Sequence, residues 1–272
     1  MLPDDRRPIG VFDSGVGGLT VLRALMERLP HEATVYLGDT ARVPYGTKSA
    51  EVVTRYSLAN ARFLLARDVK LLVIACNTAS AVGLEALAQQ LPIPVLGVIE
   101  PGAKVAAART RTGRVGVIGT PGTVRSGAYA RALKRARADL VVTSRACPLF
   151  VPLAEEGWTT GEVPRLVARQ YLSELATTGV DTLVLGCTHY PLLQGVIAEV
   201  MGDGVTLVDS AAAVAEAAEA VLQERGLLAA KAATPPAHAY FVTDTPDRFL
   251  EVAGRFLGRP VEQAEQVDIR PV

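Results

Sequence analysis

Two short segments of the chain share a chemical layout, Cys76-Asn77-Thr78 and Cys187-Thr188-His189. Each places a cysteine directly after an apolar run, LLVIA or TLVLG, and directly before small polar residues. A thiol with an ordinary pKa of about 8.5 is only about 3% thiolate at pH 7, so it needs nearby donors or a helix N-terminus to serve as a base. Asn77, Thr78, Thr188 and His189 are donors of that kind. His189 is one of three histidines, and two residues from Cys187 it can shuttle a proton or stabilise a thiolate. One cysteine at the end of a strand would read as a small buried hydrophobe. The same arrangement found twice reads as a pair of acid-base groups. Cys147, in RACPLFVP, lacks this setting and reads as structural.

Two rival uses of the thiols stay open on the residues alone. Zinc sites draw their ligands in close pairs and need three or four of them, and the chain contains no CxxC. A redox couple requires the two thiols to meet, and cysteines more than a hundred residues apart do not form a thioredoxin-type motif.

Two loops add polar groups. Asp13-Ser14-Gly15-Val16-Gly17-Gly18 follows an apolar run and opens a helical stretch, so its backbone N–H groups can hold an anion. Its glycine spacing is not that of a dinucleotide fingerprint and no Walker lysine follows, which favours a carboxylate over a phosphate. Ser14 would then be a donor, and Asp13 a partner for a cationic amine or a base for a neighbouring thiol. The segment from Gly38-Asp39 to Pro44-Tyr45-Gly46 is a second loop in which Pro and Gly fix the backbone and present amides to a ligand. Glu155 and Glu156, in PLAEEGW, read by residue type as a solvated helix face.

The elements that must position these groups are short apolar runs separated by stretches of helical period, the pattern of buried parallel strands with crossover helices. The expected strands are 9–13, 34–39, 71–76, 94–98, 114–119, 182–187 and 205–209. Helices are expected at LTVLRALMERL, SAEVVTRYSLANARFLLAR, from about Ala211, and at PDRFLEVAGRFL, with a further strand at AYFVT. The chain also carries a weak internal repeat: IGVFDSG resembles VGVIGTP, LLVIACNT resembles TLVLGCTH, and the two offsets agree to within a few residues. The expected architecture is therefore α/β, two similar three-layer domains with mainly parallel sheets related by a pseudo-two-fold, each delivering one cysteine to an active site between them. Ligands bind at that edge of open parallel sheets.

With 272 residues, 49% of them hydrophobic, the chain can bury a sizeable core. The formal charge is zero, 28 basic against 28 acidic residues, so the electrostatic footprint of a nucleic-acid or membrane-surface binder is missing. A small-molecule partner is expected. MLPDDRRPIGVF lacks a signal-peptide layout and no apolar run approaches the roughly 18 residues that span a bilayer, so the expected compartment is the cytoplasm, where three cysteines stay free thiols.

DSGVGGLTVL, GDTARVPYGTKS, ACNTASA, GVIEPGA, ACPLFVPLAEEGW and LGCTHYPLL, in this order, resemble the glutamate racemases of the aspartate/glutamate racemase superfamily, over about residues 9 to 210. The resemblance implies that Cys76 and Cys187 are the catalytic pair, that Asp13, Glu155 and His189 assist them, and that Asp39 lies nearby. It implies a substrate site lined by Asp13, Ser14, Pro44, Tyr45, Gly46, Asn77, Thr78, Thr120, Thr123, Thr188 and His189. It also implies a discontinuous first domain, 1–98 plus 211–272, around a second at 99–210, and a role in supplying D-glutamate for peptidoglycan. No metal or cofactor is expected, since none of the five lysines lies in a motif suited to a Schiff base with pyridoxal phosphate. The expected partner is glutamate, with no nucleic acid and no membrane; a homodimer is compatible with the sequence but not specified by it. An aspartate racemase or decarboxylase-like relative, a two-domain binding protein and a regulatory partner of another protein are the competing readings, and a pure binder has no need of two opposed thiols.

Overall fold

The computed structural model describes residues 4–270. Its strands are β1 (Ile9–Asp13), β2 (Thr34–Gly38), β3 (Leu71–Ile74), β4 (Val95–Gly97), β5 (Arg114–Gly119), β6 (Val141–Ala146), β7 (Thr182–Gly186), β8 (Thr206–Val208), β9 (His238–Val242) and β10 (Glu265–Gln266). Its helices are α1 (Leu19–Arg28), α2 (Ala50–Leu65), α3 (Asn77–Gln90), α4 (Ile99–Arg109), α5 (Pro121–Ser126), α6 (Ala128–Ala136), α7 (Phe150–Glu155), α8 (Glu162–Ala176), α9 (Gln194–Met201), α10 (Ala211–Glu224) and α11 (Pro246–Leu257).

The strands form two sheets, β10-β9-β2-β1-β3-β4 and β6-β5-β7-β8, and every pairing is parallel. Parallel strands need crossover helices, which cover both faces. β1, β2, β3 and β7 are accordingly buried at every position. The sheets share a four-strand unit: β2-β1-β3-β4 in the first and β6-β5-β7-β8 in the second follow the same order. The repeat read from the sequence pairs β1 with β5 and β3 with β7, and both pairs occupy the same place in their sheets. The first sheet differs by gaining β9 and β10 from the C-terminal part of the chain.

Local sequence sets the helix ends. Ser49 accepts a bond from Val52 N at 3.3 Å to cap α2, and Thr120 accepts from Thr123 N at 3.3 Å, with Pro121 at the first position of α5. Helix α11 starts on Pro246 and stops at Gly258, whose φ of 80° is left-handed. Its buried face, Phe249, Val252, Ala253, Phe256 and Leu257, packs on α1, which also lies against α10. Leu19, Leu22 and Leu25 of α1 are buried, each contributing about 1.5–3 kcal/mol. One apolar core runs from Ile9 and Val73 in the first sheet through α1 and α4 to Val117 and Leu183 in the second; a smaller one lies under α2 and α3.

Five expected strands end one or two residues early: those expected to run to Asp39, Cys76, Val98, Cys187 and Asp209 stop at Gly38, Ile74, Gly97, Gly186 and Val208. At β3 the cause is local, since Ser80 Oγ donates to Ile74 O at 2.9 Å and Cys76 has already become the cap of α3. Strand β6 was not anticipated: it lies at a sheet edge with mixed polar and apolar residues, none of them buried, so it lacks the continuous apolar run of a central strand. Among the described residues no helix is long and apolar enough to cross a membrane.

Candidate active site

In a 2-1-3-4 strand order the chain moves outward from the first strand to one side and then returns to the other, leaving a crevice at the carboxyl ends of the first and third strands. In the first sheet that crevice lies between β1 and β3, where Asp13-Ser14 and Cys76 stand. In the second it lies between β5 and β7, where Thr120 and Cys187 stand. Each switch point therefore offers one cysteine, and both are buried at 6% exposure.

Cys76 caps α3, its Sγ accepting from Ala79 N at 3.5 Å, and it lies 3.7 Å from Ser14 Oγ. Burial, with the Asp13 carboxylate beside it, pushes the Cys76 thiol up to about 12. Asp13 is itself buried and its carboxyl is pushed above the usual range by that burial. Its Oδ2 accepts from Gly15 N at 2.9 Å, while Oδ1 has no partner among the described residues. A buried, unpartnered carboxylate oxygen is costly to leave so, and a cationic amine brought to this point would satisfy it.

Cys187 has a different companion. His189 Nδ1 lies 3.8 Å from its Sγ, and His189 Nε2 lies 2.9 Å from Glu155 Oε1. Burial disfavours the charged imidazole, but the bonds to Cys187 and Glu155 outweigh it and raise its pKa to about 10. Glu155 resists its own partial burial through the same His189 bond and is carried below the usual carboxylate range. Cys147, by contrast, is fully buried with only Arg145 O at 3.8 Å, and Glu156 leaves the site to pair with Arg248 at 2.7 Å.

The remaining predicted residues meet across the two sheets. The hydroxyl of Thr78 lies 2.8 Å from that of Thr120 and 3.1 Å from that of Thr123, and Thr120 and Thr123 are 3.1 Å apart. Asn77 Oδ1 accepts from Tyr129 OH at 2.7 Å, and Thr20 Oγ1 reaches Thr188 O at 3.3 Å. Two glycines permit this closeness: a Cβ at Gly46 would lie 2.5 Å from Thr120 Cβ, and one at Gly17 would lie 2.3 Å from Thr188 Oγ1 and 2.5 Å from the His189 ring. The loop from 40 to 47 is two single 3₁₀ turns flanking Val43 and Pro44, which are exposed. The Tyr45 side chain turns inward onto Asp39, which is fully buried and also accepts from Asn60 Nδ2 at 3.4 Å. Asn60, Tyr129 and Thr20 were not singled out in the sequence, since each sits in an ordinary helix and gains its contact only through the fold.

Two buried thiols with a carboxylate and an imidazole beside them are equipped for acid–base proton transfer, and the chain's relatives belong to a class that performs it. Residues 9–218 match the family model for Asp/Glu/Hydantoin racemases; the chain belongs to this family and is an isomerase, a racemase. Among similar proteins, the glutamate racemase of Geobacter metallireducens is 61% identical over 97% of both chains. The glutamate racemase of Francisella tularensis in complex with D-glutamate superposes with a TM-score of 0.91 at 39% identity, covering 97% of this chain and 98% of that one. The glutamate racemase of Thermus thermophilus in complex with β-chloro-D-alanine does so with a TM-score of 0.89 at 47% identity, covering 99% of this chain and all of the other.

Proposed function

We propose that the protein interconverts L- and D-glutamate by moving the α-proton between Cys76 and Cys187, without a cofactor. The observation that carries this is the occurrence of one buried cysteine at each of two equivalent switch points, each with its own polar companion. Inversion needs a proton removed from one face of the α-carbon and another added to the opposite face. One sulfur, as thiolate, takes the Cα proton. The opposite thiol gives its proton to the carbanion, and the two sulfurs have exchanged states, so reversal needs no external acid or base.

The companions suit this work. His189 Nδ1, 3.8 Å from the Cys187 sulfur, is placed to exchange a proton with it, and Glu155 holds the imidazole charged and oriented. Asp13, with Oδ1 unpaired, is suited to the substrate ammonium or to the Cys76 proton. Ser14, the 44–46 loop, Asn77, Thr78, Thr120, Thr123 and Thr188 are suited to supply donors for two carboxylates. The relatives' printed names support glutamate as the substrate. The same reading gives a first domain of 1–98 plus 211–272 and a second of 99–210, and a product that feeds peptidoglycan synthesis in the cytoplasm. Circular dichroism of L-glutamate and, separately, L-aspartate incubated with the purified protein tests it: the glutamate signal should decay to zero with no added cofactor and much faster than the aspartate signal. A protein that acts faster on aspartate, or whose activity is lost on stripping pyridoxal phosphate or metal, contradicts the assignment.

A further inference from the structure

The family match ends at residue 218, yet the segment after β9 touches both halves of the site. At one end, Thr243 bridges the first sheet's loop. Its hydroxyl donates to Asp39 Oδ1 at 2.8 Å and accepts from Ala41 N at 3.0 Å, while Asp244 N donates to Thr40 Oγ1 at 3.0 Å. The other oxygen of Asp39 accepts from Tyr45 OH and lies 3.3 Å from Arg42 Nη1. Asp39 thus ties the strand exit at Thr243 to the loop that carries Tyr45 and Gly46. At the other end, α11 reaches the second sheet's acid-base pair. Arg255 Nη1 donates to the carbonyl of Glu155 at 2.5 Å, Arg248 pairs with Glu156 at 2.7 Å, and Phe256 meets the His189 ring edge-on with centroids 5.2 Å apart.

We infer that residues 243–256 form a brace that positions the two halves of the site separately, Thr243 setting the substrate loop through Asp39 and Arg255 setting the Glu155–His189 pair. Both are positioning residues, since neither touches a thiol. Two contacts recommend them over bulk packing: Thr243 is half-buried and Arg255 is exposed, so neither is a core residue whose loss would collapse the fold, while each bonds a group one step from the chemistry. The two ends should also be kinetically distinct. A loop whose backbone donors hold a carboxylate acts on binding, whereas the imidazole beside Cys187 acts on proton transfer.

The inference rests on the glutamate racemase reading, and the experiment separates the two. If the wild-type protein does not racemise glutamate, that reading fails; if it does, the variants judge the brace. Thr243→Val leaves Asp39 Oδ1 and Ala41 N without their partner, and small displacements of positioned groups cost large factors. It is expected to raise KM for glutamate about tenfold with kcat within about twofold of wild type, on the scale of misplacing such a loop. Arg255→Met is expected to lower kcat about fivefold with KM within about twofold, the loss expected of a less well-held acid-base group. Thr243→Ser and Arg255→Lys, which keep a donor, should restore most of each loss. The inference is overturned if both variants lower the melting temperature while KM and kcat per folded molecule stay at wild-type values, or if the two splits do not run in opposite directions.

Discussion

The surroundings of Cys76 and of Cys187 differ more than the matching strand orders would suggest. Both sulfurs stand at the same switch point of a 2-1-3-4 sheet and both are buried. Cys76 faces a buried carboxylate, Asp13, and a hydroxyl, Ser14. Cys187 faces an imidazole braced by a carboxylate, Glu155. Burial beside the Asp13 carboxylate disfavours a thiolate at Cys76, so a duplicated scaffold supplies the symmetry of position while the loops after each strand supply different companions. On the two-cysteine proposal, symmetry of position is what would set the sulfurs on opposite faces of one α-carbon, while the companions that differ, Asp13 and Ser14 on one side and His189 with Glu155 on the other, would set how each sulfur exchanges its proton.

The comparison is broken most severely by deleting either sulfur. Cys76→Ala and Cys187→Ala should each reduce net racemisation beyond about 10³-fold, because catalytic groups that act as a unit fail together; near wild-type racemisation in either, measured polarimetrically, would mean that one face suffices. Next come the companions. Asp13→Asn and His189→Asn should retain activity about 10² to 10⁴-fold below wild type, the range for positioned acid-base groups. Unchanged kcat in both would return these residues to a purely structural role.

The third perturbation lies away from both thiols. Lys70 is fully buried, pairs with Glu32 at 2.6 Å and donates to Leu227 O at 2.7 Å, while Glu32 Oε1 accepts from Ala229 N at 2.8 Å. Lys70→Met leaves the Glu32 charge buried and unpaired, and should cost about 3–5 kcal/mol in denaturant unfolding with KM unchanged. An altered KM with full stability would mean that this pair belongs to the site. The smallest effect is a pH trend. His189 has its pKa raised from 6.5 to about 10 in the folded protein, so the stability it contributes is fully present below about pH 6.5 and is lost as the pH rises through about 10. The melting-temperature deficit of His189→Asn should therefore be larger at pH 6 than at pH 9.5, and a deficit that grows with pH would place the imidazole neutral in the fold.

How much of this was legible in the sequence follows from what each feature depends on. Strands β1 and β5 and helix α11 coincide with the expected segments because an apolar run or a Pro-to-Gly-bounded amphipathic stretch is a local signal. The matching placement of the two cysteines after β3 and β7 was legible because the repeat doubled their setting. The Glu155–His189 bond was not readable from residue types, since Glu155 and Glu156 are indistinguishable neighbours until α7 turns one toward His189 and the other toward Arg248. Thr243 and Arg255 were invisible for the same reason: their partners, Asp39 and Glu155, lie at least a hundred residues away in the chain, and only the return of β9 to the first sheet brings them together.

The claim that Cys76 and Cys187 work on opposite faces of one α-carbon is tested most directly by the order in which deuterium appears. The wild-type protein is given a single enantiomer of glutamate in deuterated water, and early samples are separated by enantiomer and weighed by mass spectrometry. With two opposed sulfurs, the thiol that reprotonates the carbanion carries a solvent-derived proton, so the product enantiomer should be almost fully α-deuterated while the remaining substrate enantiomer is still unlabelled. Equal early labelling of both enantiomers, or product that keeps the substrate's own hydrogen, would contradict the account.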